Sequence, residues 1–343
     1  MRPLIDRSVG NLPCPDEALL AEARRTAPDP SAHAAFLQRI EAFHTLEFQP
    51  AHGAGACPGR LRIAALNAER LTRPDAVVRL KERTGADVLL LSEADIGMAR
   101  SGNVHAVRDV AGAAGDGYVF GVEFVELDIG DREEMRRHAG GRNACGLHGN
   151  AIVSGLTLER PHLIPLEESG RWFAGFEGAQ RRIGGRIALA ARVAGAPRPL
   201  WVVSLHLESK TDAADRQAQI RTLLCALERL APGEACIIGG DFNTKGLPKG
   251  EGERPLLIEE PDRFEPLFAD LRAAGFSWAG ANLAAPTQRD SLSKTHPRPF
   301  GTLDWLFVRG VAAANPQIVQ AVDEEGRPIS DHEMVAVDVS FDI

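Results

Sequence analysis

Six short apolar runs in this chain each adjoin an acidic, amide or imidazole side chain, and that repeated pattern limits the folds open to it. Residues 61–66 lead into Asn67 and Glu69, residues 88–91 into Glu93, and residues 200–205 into His206. Residues 236–238 lead into Gly239-Gly240-Asp241-Phe242-Asn243, Asp304 and Trp305 open another run, and Ile329 leads into Ser330-Asp331-His332. Short apolar runs bounded by polar residues read as buried strands. Further strands are expected at 118–127, 151–154, 186–193 and 334–341. Helical spacing separates them. Residues 72–83 read as a helix with Thr72 as its cap, three residues before Asp75. Residues 211–230 put Ile220, Leu223, Leu224, Leu227 and Leu230 on one face. Interleaved strands and helices predict an α/β domain whose sheets are flanked by helices.

Residues 1–58 differ in character. Two helical stretches, 17–26 and 31–44, are split by Pro28-Asp29-Pro30, and Phe36, Ile40 and Phe43 share a face that needs cover. They are read as an N-terminal helical appendage, with the main domain over 59–343; residues 52–59 read as a loop. The five cysteines are odd in number and irregular in spacing, so a disulfide framework or zinc site is not expected. Cys225 and Cys236 read as buried small apolar groups. The N-terminus lacks a signal-peptide pattern and no run of about 18 apolar residues occurs, so a cytoplasmic protein without membrane insertion is expected. A net charge of −8 argues against a nonspecific DNA binder, whose phosphate contacts favour a basic surface.

In open α/β sheets, groups at strand carboxyl ends share one crevice. Carboxylates crowded there repel one another unless a cation neutralises them. Oxygen ligands without thiols suit a hard cation, Mg²⁺ or Mn²⁺. Such a cation beside His and Asp suits a phosphate ester, because it neutralises oxygen charge and lowers the pKa of a bound water. Taken singly, each group has a bland alternative. Glu93 could be a salt-bridged acid, Asp241-Phe242-Asn243 an Asx-turn, Ser330-Asp331-His332 a capped turn and His206 a core histidine. Their joint occurrence is what points to one site.

In order and spacing these pieces resemble the endonuclease/exonuclease/phosphatase superfamily over residues 61–341. The matching pieces are Asn67/Glu69, Ser92-Glu93, Ser204-Leu205-His206-Leu207, Gly240-Asp241-Phe242-Asn243, Leu303-Asp304-Trp305 and Ser330-Asp331-His332, with Gly149-Asn150-Ala151-Ile152 as an accompanying strand. Departures lie at Leu66, Ser92 and Trp305, where many members carry an aromatic residue, Gln and Tyr. The resemblance implies a four-layer, two-sheet β-sandwich flanked by helices. It implies a metal held by Glu93, Asn67, Glu69 and Asp331. Asp241 would orient or deprotonate the water, Asn243 would hold the phosphate or position Asp241, and His206 and an Asp304-oriented His332 would assist at the phosphate. Whether one or two metals bind, and which group is the general acid, stay open.

The implied activity is hydrolysis of a phosphate ester in a small molecule, lipid headgroup or nucleic acid. The alternatives are a nuclease and a silent scaffold on the same fold. Arg171, Arg181, Arg182 and Arg186 read as paired surface or as phosphate contacts. Trp172, Phe173 and Phe176 read as core packing or as an exposed loop. His148, Arg100 and Asn103 are candidate substrate contacts, and Asp95 reads as a helix-start acid. The loops at 246–261 and 279–299 are candidates to face substrate.

Overall fold

Alternate residues along each strand go to opposite sides, and this sorts the apolar runs into separate cores. The computed structural model describes residues 3–51, 57–175 and 180–341. In chain order the strands are β1 (Ser8–Val9), β2 (Leu46–Gln49), β3 (Arg60–Asn67), β4 (Val88–Ile96), β5 (Gly117–Glu126), β6 (Leu147–Ser154) and β7 (Leu158–Pro165). They continue as β8 (Arg182–Gly184), β9 (Ile187–Val193), β10 (Leu200–His206), β11 (Ala235–Asp241), β12 (Asp304–Arg309), β13 (Ala312–Val319) and β14 (Met334–Ser340). One sheet runs β1-β2-β5-β6-β4-β3-β14-β13 with β8 paired to β5; the other runs β12-β11-β10-β9-β7.

Leu61, Ile63 and Ala65 of β3 and Val88 and Leu90 of β4 meet Leu189, Val202, Ile237 and Leu306 in the core between the sheets. Their neighbours Leu66, Leu89 and Leu91 face outward and are covered by Val77 and Leu80 of the helix Pro74–Thr84 and by Val107 and Val110 of Ala106–Ala114. On the far side, Trp201, Val203, Ile238 and Phe307 are covered by Ile220, Leu223 and Leu227 of Ala213–Leu230 and by Phe268. The result is helix, sheet, sheet, helix. Each fully buried Leu or Phe contributes about 1.5–3 kcal/mol. Gly239 allows the sheets this close: a Cβ there would lie 2.6 Å from Leu306 Cδ2 and 2.8 Å from Leu90 Cδ1.

The N-terminal helices form as Glu17–Arg25 and Pro30–Arg39, capped by Asp16 and Asp29. The stretch also supplies β1 and β2 to the larger sheet, and Phe36 and Phe43 join the core on its helix-covered side. Three readings are corrected here. Thr72 caps nothing: the helix opens at Pro74 with no side-chain cap, because proline at the first turn needs no partner for its nitrogen. Cys14 and Cys145 form a disulfide across 131 residues, tying the N-terminal stretch to the loop before β6. Spacing along the chain could not foresee it, since the fold makes the two neighbours. Such bonds persist in oxidising compartments, which weighs against the cytoplasmic expectation. Cys236 is buried as expected, but Cys225 is exposed. Among the described residues no helix is long and apolar enough to cross a membrane.

Candidate active site

Parallel pairing brings strand ends level. In β3/β4 Asn67 stands opposite Ser92, and in β10/β11 His206 stands opposite Asp241. The antiparallel β12 adds Asp304 opposite Asp241. Both sheets therefore deliver polar groups to one edge. The connections there are locally contorted: Glu69, Arg70, Leu71, Glu93 and Asn243 all have φ between 44° and 70°. Non-glycine residues avoid that region, and such conformations cluster at functional sites.

Asp241 Oδ2 is the hub. It accepts a hydrogen bond from Asn67 Nδ2 at 3.1 Å, with His206 Nε2 at 3.5 Å and His332 Nε2 at 3.8 Å. Its Oδ1 accepts from the Asn243 backbone at 2.8 Å. Asn67 Nδ2 also lies 3.3 Å from Glu93 Oε1, and Asn243 Nδ2 donates to the Leu207 carbonyl at 3.0 Å. His332 Nδ1 pairs with Asp304 Oδ2 at 2.8 Å, and Thr287 Oγ1 donates to the same oxygen at 2.7 Å. Ser330 Oγ anchors the loop through the Asn67 carbonyl at 2.6 Å. Burial, aided by the Asp304 charge and opposed by His332, pushes the Asp241 carboxyl up to about 6. Burial opposes charge on His332, but Asp304 and Asp241 outweigh it and hold the imidazole protonated well above its usual range.

His206 is set the other way. Arg186 Nη1 donates to its Nδ1 at 2.8 Å, so the ring's hydrogen sits on Nε2, toward Asp241. Burial and the Arg186 charge hold it neutral, well below the usual histidine range.

The remaining carboxylates lie beside this hub. Glu69 accepts from Ser291 and Ser293, and Asp331 Oδ2 takes Lys294 Nζ at 3.0 Å and His296 Nε2 at 3.1 Å. Lys294 Nζ is also 4.0 Å from Glu69, and Arg70 Nη1 is 2.5 Å from Glu93 Oε2. Burial and the Asp331 charge raise the Glu69 carboxyl above its ordinary value. Burial alone would raise Glu93, but Arg70 and Lys294 hold it well below. Asp331 Oδ1 and Asp304 Oδ1 are buried without hydrogen-bond partners. All-oxygen donors with an orphaned buried carboxylate oxygen fit a hard divalent cation. Asp241, Asp304 and His332 also bring ligand atoms within 4.8 Å of one another, though the Asp304–His332 bond uses two of those groups.

A cleft of ≈ 620 Å³ opens over Glu93, His148 and His206. Its wall overturns the surface reading of two arginines. Arg182 and Arg186 are largely buried and line the cleft, paired with Glu126 at 3.2 Å and Glu123 at 2.5 Å. Arg171 lines it too, whereas Arg181 stacks on Phe173 and donates to backbone carbonyls. Phe173 is core and Trp172 lines the cleft, its Nε1 donating to Glu208 at 2.9 Å; Phe176 lies outside the described residues. Asp95 is no helix-start acid. It sits within β4, buried, and binds Arg100 through both oxygens at 2.9 and 3.0 Å and His148 Nδ1 at 2.7 Å. Asn103 bonds the Arg142 carbonyl and the Ala144 amide, which is a structural role.

Sequence reasoning missed Arg70, Glu123, Glu208 and Lys294. Of these only Lys294 carried a signal, through its place in the 279–299 loop.

No protein-family model and no curated protein matches the sequence. Solved structures do match. An endonuclease/exonuclease/phosphatase from Beutenbergia cavernae is 18% identical with a TM-score of 0.56, over 82% of this chain and 72% of that one. The human nocturnin catalytic domain is 15% identical with a TM-score of 0.54, over 86% and 97%. A mannosyl-6-phosphatase from Bacteroides thetaiotaomicron is 14% identical with a TM-score of 0.52, over 82% and 100%. The chain has the fold of the endonuclease/exonuclease/phosphatase proteins.

Proposed function

We propose that this protein is a divalent-metal-dependent phosphoesterase, most simply a phosphodiesterase, in which water attacks phosphorus in line with the leaving oxygen. The observation that carries the reading is the convergence of Asn67, His206 and His332 on one oxygen of buried Asp241. A carboxyl raised to about 6 is suited to take a proton from water near neutral pH. Asn67 and Asn243 hold that carboxylate in place. His332, kept charged by Asp304, donates to a phosphoryl oxygen, and His206 donates from Nε2–H without carrying charge. Glu93, Glu69, Asp331 and Asn67 are the groups assigned to Mg²⁺ or Mn²⁺. When bound, the metal supplies charge neutralisation at the phosphate and a more acidic water. A nuclease uses the same chemistry, so substrate choice separates the two readings.

The test is hydrolysis of bis-p-nitrophenyl phosphate, p-nitrophenyl phosphate, supercoiled plasmid, single-stranded RNA and sphingomyelin with Mg²⁺ or Mn²⁺. The expected result is diester cleavage abolished by EDTA. Cleavage that survives chelation refutes the metal role, and absence of any cleavage by metal-loaded protein turns the reading toward a silent scaffold.

A further inference from the structure

The cleft beside Asp241 has a charge opposite to that of the molecule. The chain carries −8 overall, yet among the described residues seven lysines and arginines line the cleft against four carboxylates. A lone phosphodiester brings a single negative charge against a lining excess of three positive charges. The excess is also built in rather than draped over the surface. Arg186 is 6% exposed and reaches the reaction centre through His206. Arg182 stacks on Phe124 with its guanidinium carbon 4.0 Å from the ring centre. The glutamates that fix these two guanidiniums, Glu126 and Glu123, belong to β5 and are not part of the cleft lining.

Each guanidinium keeps donors in reserve. Among the described residues Arg182 uses only Nε, toward Glu126, so its two terminal nitrogens have no hydrogen-bond partner. Arg186 commits Nη1 to Glu123 and His206 and keeps its buried Nε 3.4 Å from Glu208 Oε2, and among the described residues its Nη2 has no hydrogen-bond partner. Planar forks held in place by buried carboxylates are suited to phosphate oxygens, because the side-chain order is already established before binding. Trp172 is not a free platform for a base. The Arg186 guanidinium lies 4.9 Å from its ring centre, Phe124 meets it edge to face, and its N–H is committed to Glu208.

Resting on the phosphoesterase reading, we propose that Arg182 and Arg186 bind a second phosphate group of the substrate, beside the one being hydrolysed. The preferred substrate is then a compact molecule bearing two phosphates, recognised by charge and not by base stacking. Inorganic pyrophosphate is the probe, titrated calorimetrically into the full chain in EDTA so that no metal bridges it, with orthophosphate for comparison. Pyrophosphate is expected to bind at least tenfold tighter than orthophosphate. Arg182→Met should erase at least tenfold of that preference, and so should Glu126→Gln/Arg182→Met, which removes the buried ion pair as a unit and leaves no orphaned carboxylate. Arg263→Gln, at an exposed site far along the chain, should change nothing. Equal binding of the two anions by the wild type, or an undiminished preference in both Arg182 variants, overturns the proposal. Hydrolysis of bis-p-nitrophenyl phosphate is read in parallel on the wild type. Metal-dependent cleavage without a pyrophosphate preference sinks the second-phosphate site and leaves the phosphoesterase reading standing. An Arg182-dependent preference without any cleavage does the reverse.

Discussion

Glu47→Gln tests how the N-terminal stretch is fastened to the catalytic sheet. Glu47, on β2, is buried and accepts bonds from His105 Nε2 at 2.8 Å, Arg108 Nη2 at 2.8 Å, Tyr118 Oη at 2.5 Å and the Leu12 amide at 2.7 Å. Burial alone would raise its carboxyl, but His105, Tyr118 and Leu12 overcome that and lower it from 4.5 to about 2. Each pKa unit is worth about 1.4 kcal/mol, so the shift corresponds to about 3 kcal/mol. Arg108 is half exposed, and solvent screening on that side reduces the figure to about 2 kcal/mol. The sign follows from the lowered pKa. The stabilisation is fully present above the unfolded value of 4.5 and is lost as pH falls toward 2. Glutamine keeps the shape but carries no charge. Urea unfolding at pH 7 should therefore show Glu47→Gln less stable by about 2 kcal/mol, and at pH 3 the gap should shrink to under half of that. A gap that is unchanged or wider at pH 3 refutes the ionic account.

Asp241→Asn and His332→Ala should each lower kcat by at least about 10²-fold with unchanged circular dichroism; near-normal turnover in either variant removes that residue from the mechanism. Lys294→Met should tighten Mg²⁺ binding about three- to tenfold in calorimetry, because its ammonium now occupies oxygens of Asp331 and Glu69 that a cation would use. Weaker Mg²⁺ binding in that variant would show that Lys294 supports the metal site instead. Cys14→Ser should cost about 2–4 kcal/mol in urea unfolding, since the bond closes a loop of 131 residues. An equal loss on adding reductant to the wild type is expected, and no loss in either case refutes a role in stability.

The layered architecture was legible because the cores obey simple periodicities. In β3, β4, β10 and β11 a buried residue recurs on both faces, so each reads as an apolar run and stops where a polar group meets the crevice. The strands that were missed lack this signature. β1 has two residues, β8 three and β2 four, while β7 is half-buried or exposed over most of its first half and β13 along most of its length, so local pattern said little about them. Pairing partners, not sequence, make them strands. The Cys14–Cys145 bond has the same character, as its two ends lie 131 residues apart and only the fold makes them neighbours.

The polar groups at strand ends could be placed one by one from the sequence, but what sets their protonation could not. His206 and His332 are both buried imidazoles within 4 Å of Asp241, and sequence alone gives them equal standing. The structure separates them by their second nitrogen. Asp304 sits on one and Arg186 on the other, 28 and 20 residues away in the chain. One ring is thereby held charged and the other neutral, so a single carboxylate is approached by a cationic donor and a neutral donor from two sides. That asymmetry suits an ester whose charge grows on the phosphoryl oxygens, where fixed donors stabilise the transition state more than the ground state. Arg186 acts twice in this scheme. Its Nη1 fixes the tautomer of His206, and its side chain lines the same cleft as Arg182. Arg186 therefore ties the protonation of His206 to the charge of the cleft wall, and a substitution there changes both together.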